Sequence, residues 1–465
     1  TFILELALGT AFAGGAADRH PALHYDRYFN HYTDSFVTKI FLKSKTRKEP
    51  TTTMDQVRRL IRNFHEMSGG MHQIIYLVGW QYDGHDSKYP SWDKVGDQCR
   101  SSLSDDPLTS LRMVMREARE KYNCDLSLHL NMNDAHPDSP DWKLYNEKDL
   151  LCKDKNGKPR ALGTWFRISH VKEWKSGYAK KRIDALLEMI PELKDAKTVH
   201  IDAFFAQSSD FDGISIEDDK VAVKEITDYW HSLGIDVTNE FITSLDMIGY
   251  FPMVYHYNLD ERQRLLYPAE VLCPGDNLWN GRLYCDYFNT YKQNYGPLMT
   301  SPAGGCCYDE AWGIGNFCDM SGGTAADPKG FLERIFRTAI LMAWYNRRPV
   351  VAHSMTATDY RVERKGGVVA NVRMSDRTLV VREGDRTVVE GGDYFLDMPH
   401  NGGTVLVYSK KGCDREFVLP KDFPACAALE GRLFPEERAA RLEVAAGKVR
   451  VKLPAGHSLA LRPVR

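Results

Sequence analysis

Two short apolar runs in this chain each end in a carboxylate, and one amphipathic helical stretch lies between them. The first is Thr198-Val199-His200-Ile201-Asp202, and the second is Ile235-Asp236-Val237-Thr238-Asn239-Glu240. A buried strand ending in Asp, a helix, and a strand ending in Glu form one unit of a (β/α) barrel. That unit sets two acids side by side at the rim where the strand-to-helix loops gather.

The rest of the chain repeats the alternation. Residues 54–67 carry Val57, Leu60, Ile61 and Phe64 at helical spacing, and the run 72–80 follows as a buried strand. Residues 108–122 are again helical and 125–132 again a strand. Helices are predicted over 179–190, 219–233 and 328–345, and strands over 198–204, 236–241, 253–257 and 349–353. This order predicts a parallel α/β architecture, and 465 residues suffice for a (β/α)8 TIM-type barrel plus a smaller unit. Near Asp359 the texture changes. Glycine pairs at 366–367, 391–392 and 402–403 separate short Val-rich runs, which predicts a C-terminal antiparallel β-sandwich without catalytic residues. The expected division is an N-terminal segment 1–34, a catalytic barrel 35–358 and a β domain 359–465.

Composition excludes some classes of partner. Lys and Arg number 61 against 63 Asp and Glu, so no electrostatic case exists for nucleic acid or an anionic membrane surface. No run of about 18 apolar residues is present to span a membrane. The first 17 residues are apolar but carry Glu5 and no basic leader, which suits the cut edge of a preceding region better than a signal peptide. The ten cysteines show no CxxC pair and no zinc-knuckle spacing. Free thiols and a few disulfides both fit them, so secreted and cytoplasmic locations both stay open. Oligomeric state has no signal in the sequence.

The predicted strand exits are unusually polar. Trp80, Tyr82, His85 and Asp86 follow the first strand, His129, Asn131, Asp134 and His136 the next, and Asp202 and Glu240 the two after it. Loops at these exits form the active face of a barrel. Their carboxylates, imidazoles, amides and indoles match what a sugar presents: hydroxyls to donors and acceptors, C–H faces to flat rings. Two carboxylates flanking one bond are the minimal machinery of glycoside hydrolysis. A carbohydrate or glycoprotein substrate follows, with no cofactor and no metal required.

The motifs GWxxxGHDSxYP (79–90), HLNxNDAHP (129–137), HIDAFF (200–205) and TNEF (238–241) together resemble the endo-α-N-acetylgalactosaminidases and their exo-acting relatives, glycoside hydrolase families 101 and 129. The resemblance runs in order over roughly residues 35–350. It implies a retaining α-glycosidase acting on N-acetylgalactosamine α-linked to Ser or Thr of mucin-type glycans. By motif position it implies Asp202 as nucleophile and Glu240 as acid/base, with His85 and Asp86 on sugar hydroxyls.

Other readings of the same residues stay in view. An Asp at a strand end also caps helices, and a buried Glu also pairs with Arg or Lys. Asp236 opens its strand, on the face that is usually not catalytic. Asp210 and Asp212 fit a solvated turn better than a calcium loop. Trp165 and Trp312 are candidate sugar platforms, with a core role for Trp165 equally open. His85, Asp86, His129, Asp134 and His136 form a conceivable metal cluster of an amidohydrolase or deacetylase, although HxN and DxH stand where HxH is usual. A carbohydrate-binding barrel without catalysis is the third class.

Overall fold

The computed structural model describes residues 24–239 except 26 and 33, then 247, 249–252, 276–277, 317–320, 332–333 and 335–464 except 357, 374, 377 and 399–402. Its first part alternates strand and helix. The elements are β1 (Phe36–Phe41), α1 (Met54–Met67), β2 (Gln73–Val78), α2 (Pro107–Tyr122) and β3 (Cys124–Asn131). A three-stranded antiparallel excursion follows β3, made of β4 (Asp134–Ala135), β5 (Ala161–Leu162) and β6 (Trp165–Arg167), with α3 (Trp142–Glu147) inserted between β4 and β5. Then come α4 (His170–Lys175), α5 (Tyr178–Met189), α6 (Glu192–Ala196), β7 (Thr198–Asp202), α7 (Ile216–Ser232) and β8 (Asp236–Asn239). With β9 (Asp276–Asn277) and β10 (Phe317–Met320), the long strands form one parallel sheet in the order β8-β7-β3-β2-β1-β10-β9.

The helices begin where the sequence offers caps. Thr53 and Gln56 close a capping box on α1, and Ser215 with Asp218 does the same on α7. Asp106 caps α2, whose first residue is Pro107.

Strand alternation decides the rest. Leu126, Leu128 and Leu130 of β3, Val199 and Ile201 of β7, and Val237 of β8 join the core with Val57, Ile61 and Phe64 of α1 and Leu111 and Val114 of α2. The opposite face carries Ser127, His129, Asn131, Thr198, His200, Asp202, Asp236 and Thr238. Polar side chains bond along it: Tyr76 to Thr198 at 2.7 Å, and His200 Nδ1 to Thr238 at 2.8 Å. One apolar and one polar face per strand is the period-2 pattern of the sequence made physical.

The C-terminal part is a twelve-stranded antiparallel sheet, from Val350–Met355 to His457–Pro463. Val350–Met355 is a strand, as expected, but it pairs antiparallel with Asp359–Arg364 rather than joining the parallel sheet. The sheet folds over on itself. Phe395 and Phe417, six places apart in strand order, stack at 4.5 Å inside a second core with Val405, Val451 and Leu459. Arg432 pairs with Glu66 at 2.9 Å, and Arg462 donates to the Gly69 carbonyl at 3.0 Å. Both contacts lie where the chain enters β2, at the end of the parallel sheet opposite the strand exits. The expected strand over 253–257 lies outside the described residues. The strand β1 carries no counterpart in the sequence reading, although Phe-Val-Thr-Lys-Ile-Phe alternates as a strand should.

Candidate active site

The exits of β1, β2, β3 and β7 converge. Asp202 is the last residue of β7 and lies opposite Asn131, the last residue of β3. The Asn131 amide points to Asp202 Oδ2 at 3.5 Å and donates to Asp134 Oδ2 at 2.8 Å. His129 Nε2 faces Asp202 Oδ1 at 3.8 Å. The Asp202 side chain is 16% exposed, enough to meet a ligand. Immediately after it, Ala203 takes a left-handed φ of 47°, which turns the chain sharply away from the strand axis.

The β2 exit folds back over this group. Gly79 and Gly84 have positive φ, and a Cβ on either would strike the Lys43 carbonyl, at 2.0 and 2.5 Å. That close approach lets the His85 N–H donate to Lys43 O at 2.7 Å and the Lys45 N–H to His85 O at 3.2 Å. His85 is therefore pinned to the β1 exit, with its ring 5.3 Å from that of His129, edge to face. Asp86, also left-handed at φ 59°, sets Oδ1 3.5 Å from His85 Nε2, and its side chain is 43% exposed. Tyr89 lies between these acids. Burial, then the charges of Asp86 and Asp202, push its phenol well above the ordinary value.

The rim continues through β4 and β6. Arg167 pairs with Asp134 at 2.8 Å, yet burial still raises the Asp134 carboxyl above its usual range. Trp165 on β6 stacks on His136 at 5.9 Å, with Lys45 Nζ 5.8 Å from the indole and 3.4 Å from His136 Nδ1. Burial and the Lys45 charge pull the His136 imidazole down to about 4, so it is neutral at physiological pH.

Set against the sequence expectations, His85, Asp86, Asn131, Trp165 and Asp202 gather around these exits. Trp80 corrects the expectation of a sugar platform. It is fully buried, packs in the core and donates its indole N–H to the His129 carbonyl at 3.0 Å. It supports the floor of the site and offers no face to a ligand. Asn131 is also fully buried, so it acts through Asp202 and Asp134. Tyr82 is half-buried, and its hydroxyl donates to Asp93. Asp236 sits at the N-terminal end of β8, as expected, with its carboxylate fully buried. Asp212 is paired with Lys172 at 2.5 Å, a protein counter-charge where calcium would need open ligands. Glu240 and Trp312 lie outside the described residues. The sequence reading missed the loop 43–45, because it missed β1. It also missed Arg182, whose helix carries no motif.

Among the conceivable metal ligands, donor atoms of His85, His129 and Asp202 lie within 4.8 Å of one another. Cys99, Cys124, Cys152, Cys413 and Cys426 are free thiols. No helix among the described residues is long and apolar enough to cross a membrane.

These exits form the polar, acid-bearing end of a parallel α/β sheet, the setting in which glycoside hydrolases keep their carboxylates. Residues 27–262 match the family model described as endo-alpha-N-acetylgalactosaminidase, glycoside hydrolase family 101, and the chain belongs to that family. A search of curated proteins finds no match. Among solved structures, the α-N-acetylgalactosaminidase NagBb of Bifidobacterium bifidum in complex with GalNAc aligns with a TM-score of 0.50 at 14% identity, over 76% of this chain. A quadruple mutant of the same enzyme aligns at 0.51, also at 14% identity and over 76% of this chain. At that identity the likeness is one of fold. The chain spans 58% of the length of either structure.

Proposed function

We propose that this chain is a retaining α-glycosidase that releases N-acetylgalactosamine, or the Galβ1-3GalNAc disaccharide, from Ser or Thr of mucin-type O-glycans. In this reading residues 35–358 form the catalytic unit and the parallel sheet closes as a (β/α)8 barrel. Asp202 attacks the anomeric carbon. Glu240, next in sequence after the last residue of β8, protonates the departing oxygen and then deprotonates the water that releases the sugar. The pairing of β7 with β8, in which Ile201 lies opposite Asn239, supports assigning the acids to these two positions. Asn239 adds to that support, since its side chain exchanges hydrogen bonds with the Phe204 backbone at 2.7 and 3.2 Å and so ties the β7 exit to the end of β8.

The observation that carries the reading is the state of Asp202. It is a carboxylate with 16% of its side chain exposed, at the exit of a buried strand and beside His129 and Asn131, in a chain of family 101. The experiment is hydrolysis of aryl α- and β-glycosides of N-acetylgalactosamine, followed by proton NMR. The α-glycoside is expected to be cleaved, with the α-anomer as first product. A β-anomer first product would refute retention, and turnover of the β-glycoside alone would refute the substrate class.

One observation favours a second reading, a metal-dependent hydrolase: the convergence of His85, His129 and Asp202. A strong chelator separates the two. Activity that survives exhaustive chelation supports the carboxylate mechanism, and loss restored by a divalent transition metal supports the alternative.

A further inference from the structure

Arg182, on α5, is far from any motif, and its guanidinium is nearly buried, with 9% of the side chain exposed. It reaches the two loops on which the proposed site is built. Nη1 donates to the Pro90 carbonyl at 3.1 Å and to the Asn131 carbonyl at 3.3 Å. The planar group lies over the Trp92 ring at 4.1 Å. Nη2 pairs at 2.8 Å with Glu173 of α4, a fully buried carboxylate that also accepts the Tyr145 hydroxyl. One cation thus joins the β2 exit, through Pro90 and Trp92, to the last residue of β3. The charge is balanced behind it by an acid from a neighbouring helix.

We propose that Arg182 is a positioning residue for the glycosidase reaction, and this rests on the function proposed above. The chain of contacts is short. Arg182 fixes the Asn131 backbone, and the Asn131 amide faces Asp202 and holds Asp134. On the other side it fixes Pro90, next to Tyr89, whose hydroxyl lies 3.5 Å from His85 Nδ1. The planar fork is needed for this. It spans two carbonyls, a carboxylate and a ring face at once, which a lysine ammonium cannot do. A purely structural ion pair would have little reason to spend two hydrogen bonds on the backbone of both site loops.

The test uses the full chain and an aryl α-N-acetylgalactosaminide. Arg182→Lys keeps the charge and loses the fork. The expected result is a kcat lowered about 10- to 100-fold per folded molecule, the scale of a misplaced reacting group, with KM changed less. Circular dichroism at the assay temperature sets the folded fraction. Unchanged kcat per folded molecule overturns the proposal, even with a lowered Tm. Tyr145→Phe keeps the ring packing and removes only the hydroxyl on Glu173, so it serves if the lysine variant does not fold. A kcat reduced several-fold with an unchanged far-UV spectrum supports the proposal, and unchanged kcat contradicts it. Failure of the underlying function is visible separately, as a wild-type chain without activity on the substrate.

Discussion

Asp202 and Asp236 stand on neighbouring parallel strands, on the same polar face, at its two ends. The Asp236 carboxylate is completely buried and accepts from the backbone N–H groups of Phe29 and Asn30, at 2.8 and 3.1 Å, and from the Tyr32 hydroxyl at 3.0 Å. Its donors come from the segment that leads into β1, so it locks that segment beneath the sheet. Burial holds its carboxyl above the usual range even against those donors. Asp202 keeps 16% of its side chain exposed at the exit of its strand, with the Asn131 amide at 3.5 Å and His129 Nε2 at 3.8 Å. A carboxylate sealed inside the fold cannot meet a ligand, whereas one that keeps exposed surface can. Both acids are strand-end aspartates, and they differ in exposure, which is the difference the proposed role of Asp202 as nucleophile draws on.

The comparison breaks most easily at its active end. Asp202→Asn is expected to lower kcat by at least about 10³-fold while the melting temperature stays near wild type, since an amide keeps the shape and loses the nucleophile. Glu240→Gln is expected to slow Ser- and Thr-linked glycans about 10²- to 10⁴-fold in the bond-breaking step and activated aryl glycosides far less, because a good leaving group needs little proton assistance. Equal losses on both substrates would remove Glu240 as the acid. Asp86→Ala is expected to cost roughly 2–4 kcal/mol in transition-state binding, concentrated on the preferred epimer, because a mismatched hydroxyl already leaves the carboxylate unpaired. A lowered Tm with unchanged epimer preference would make Asp86 a turn residue instead.

The structural end gives the complementary outcome. Asp236→Ala strips an acceptor from three donors, and the expected loss is about 2–4 kcal/mol of stability in chemical denaturation, with kcat per folded molecule unchanged. Relief of the burial that raises its pKa offsets part of the cost. The smallest expected effect belongs to His136. Its folded pKa, about 4, lies below the ordinary value of 6.5, so the unfolded chain binds more protons between them. Stability is therefore complete above about pH 6.5 and falls as pH drops from there towards 4. His136→Gln should flatten that part of a Tm-against-pH curve, and an unchanged slope would assign it to other groups.

Much of this was legible in the chain. Thr-Val-His-Ile-Asp and Asp-Leu-Ser-Leu-His-Leu-Asn alternate strictly, and that period alone separates the helix-facing leucines, valines and isoleucines from the polar face that ends at Asp202. The role of Asp236 also followed from its place at the start of a strand. What the sequence hid depends on contacts between distant segments. Little local distinguishes Trp80, sealed beneath His129, from Trp165 on the rim, because each closely follows a glycine, Gly79 and Gly163. Arg182 looks like any basic residue on an amphipathic helix until Pro90 and Asn131 are brought to it. The β1 exit was lost with β1, and with it Lys45 and the anchor of His85.

The most direct test of the account is the chemical identity of the nucleophile. A 5-fluoro-α-N-acetylgalactosaminyl fluoride enters a retaining site and is released slowly, so the glycosyl-enzyme accumulates and can be digested and sequenced by mass spectrometry. The account predicts one added sugar per chain, on the peptide containing Asp202, and no label in Asp202→Asn. A label on any other carboxylate, or turnover without a covalent intermediate and with inverted product, would contradict it.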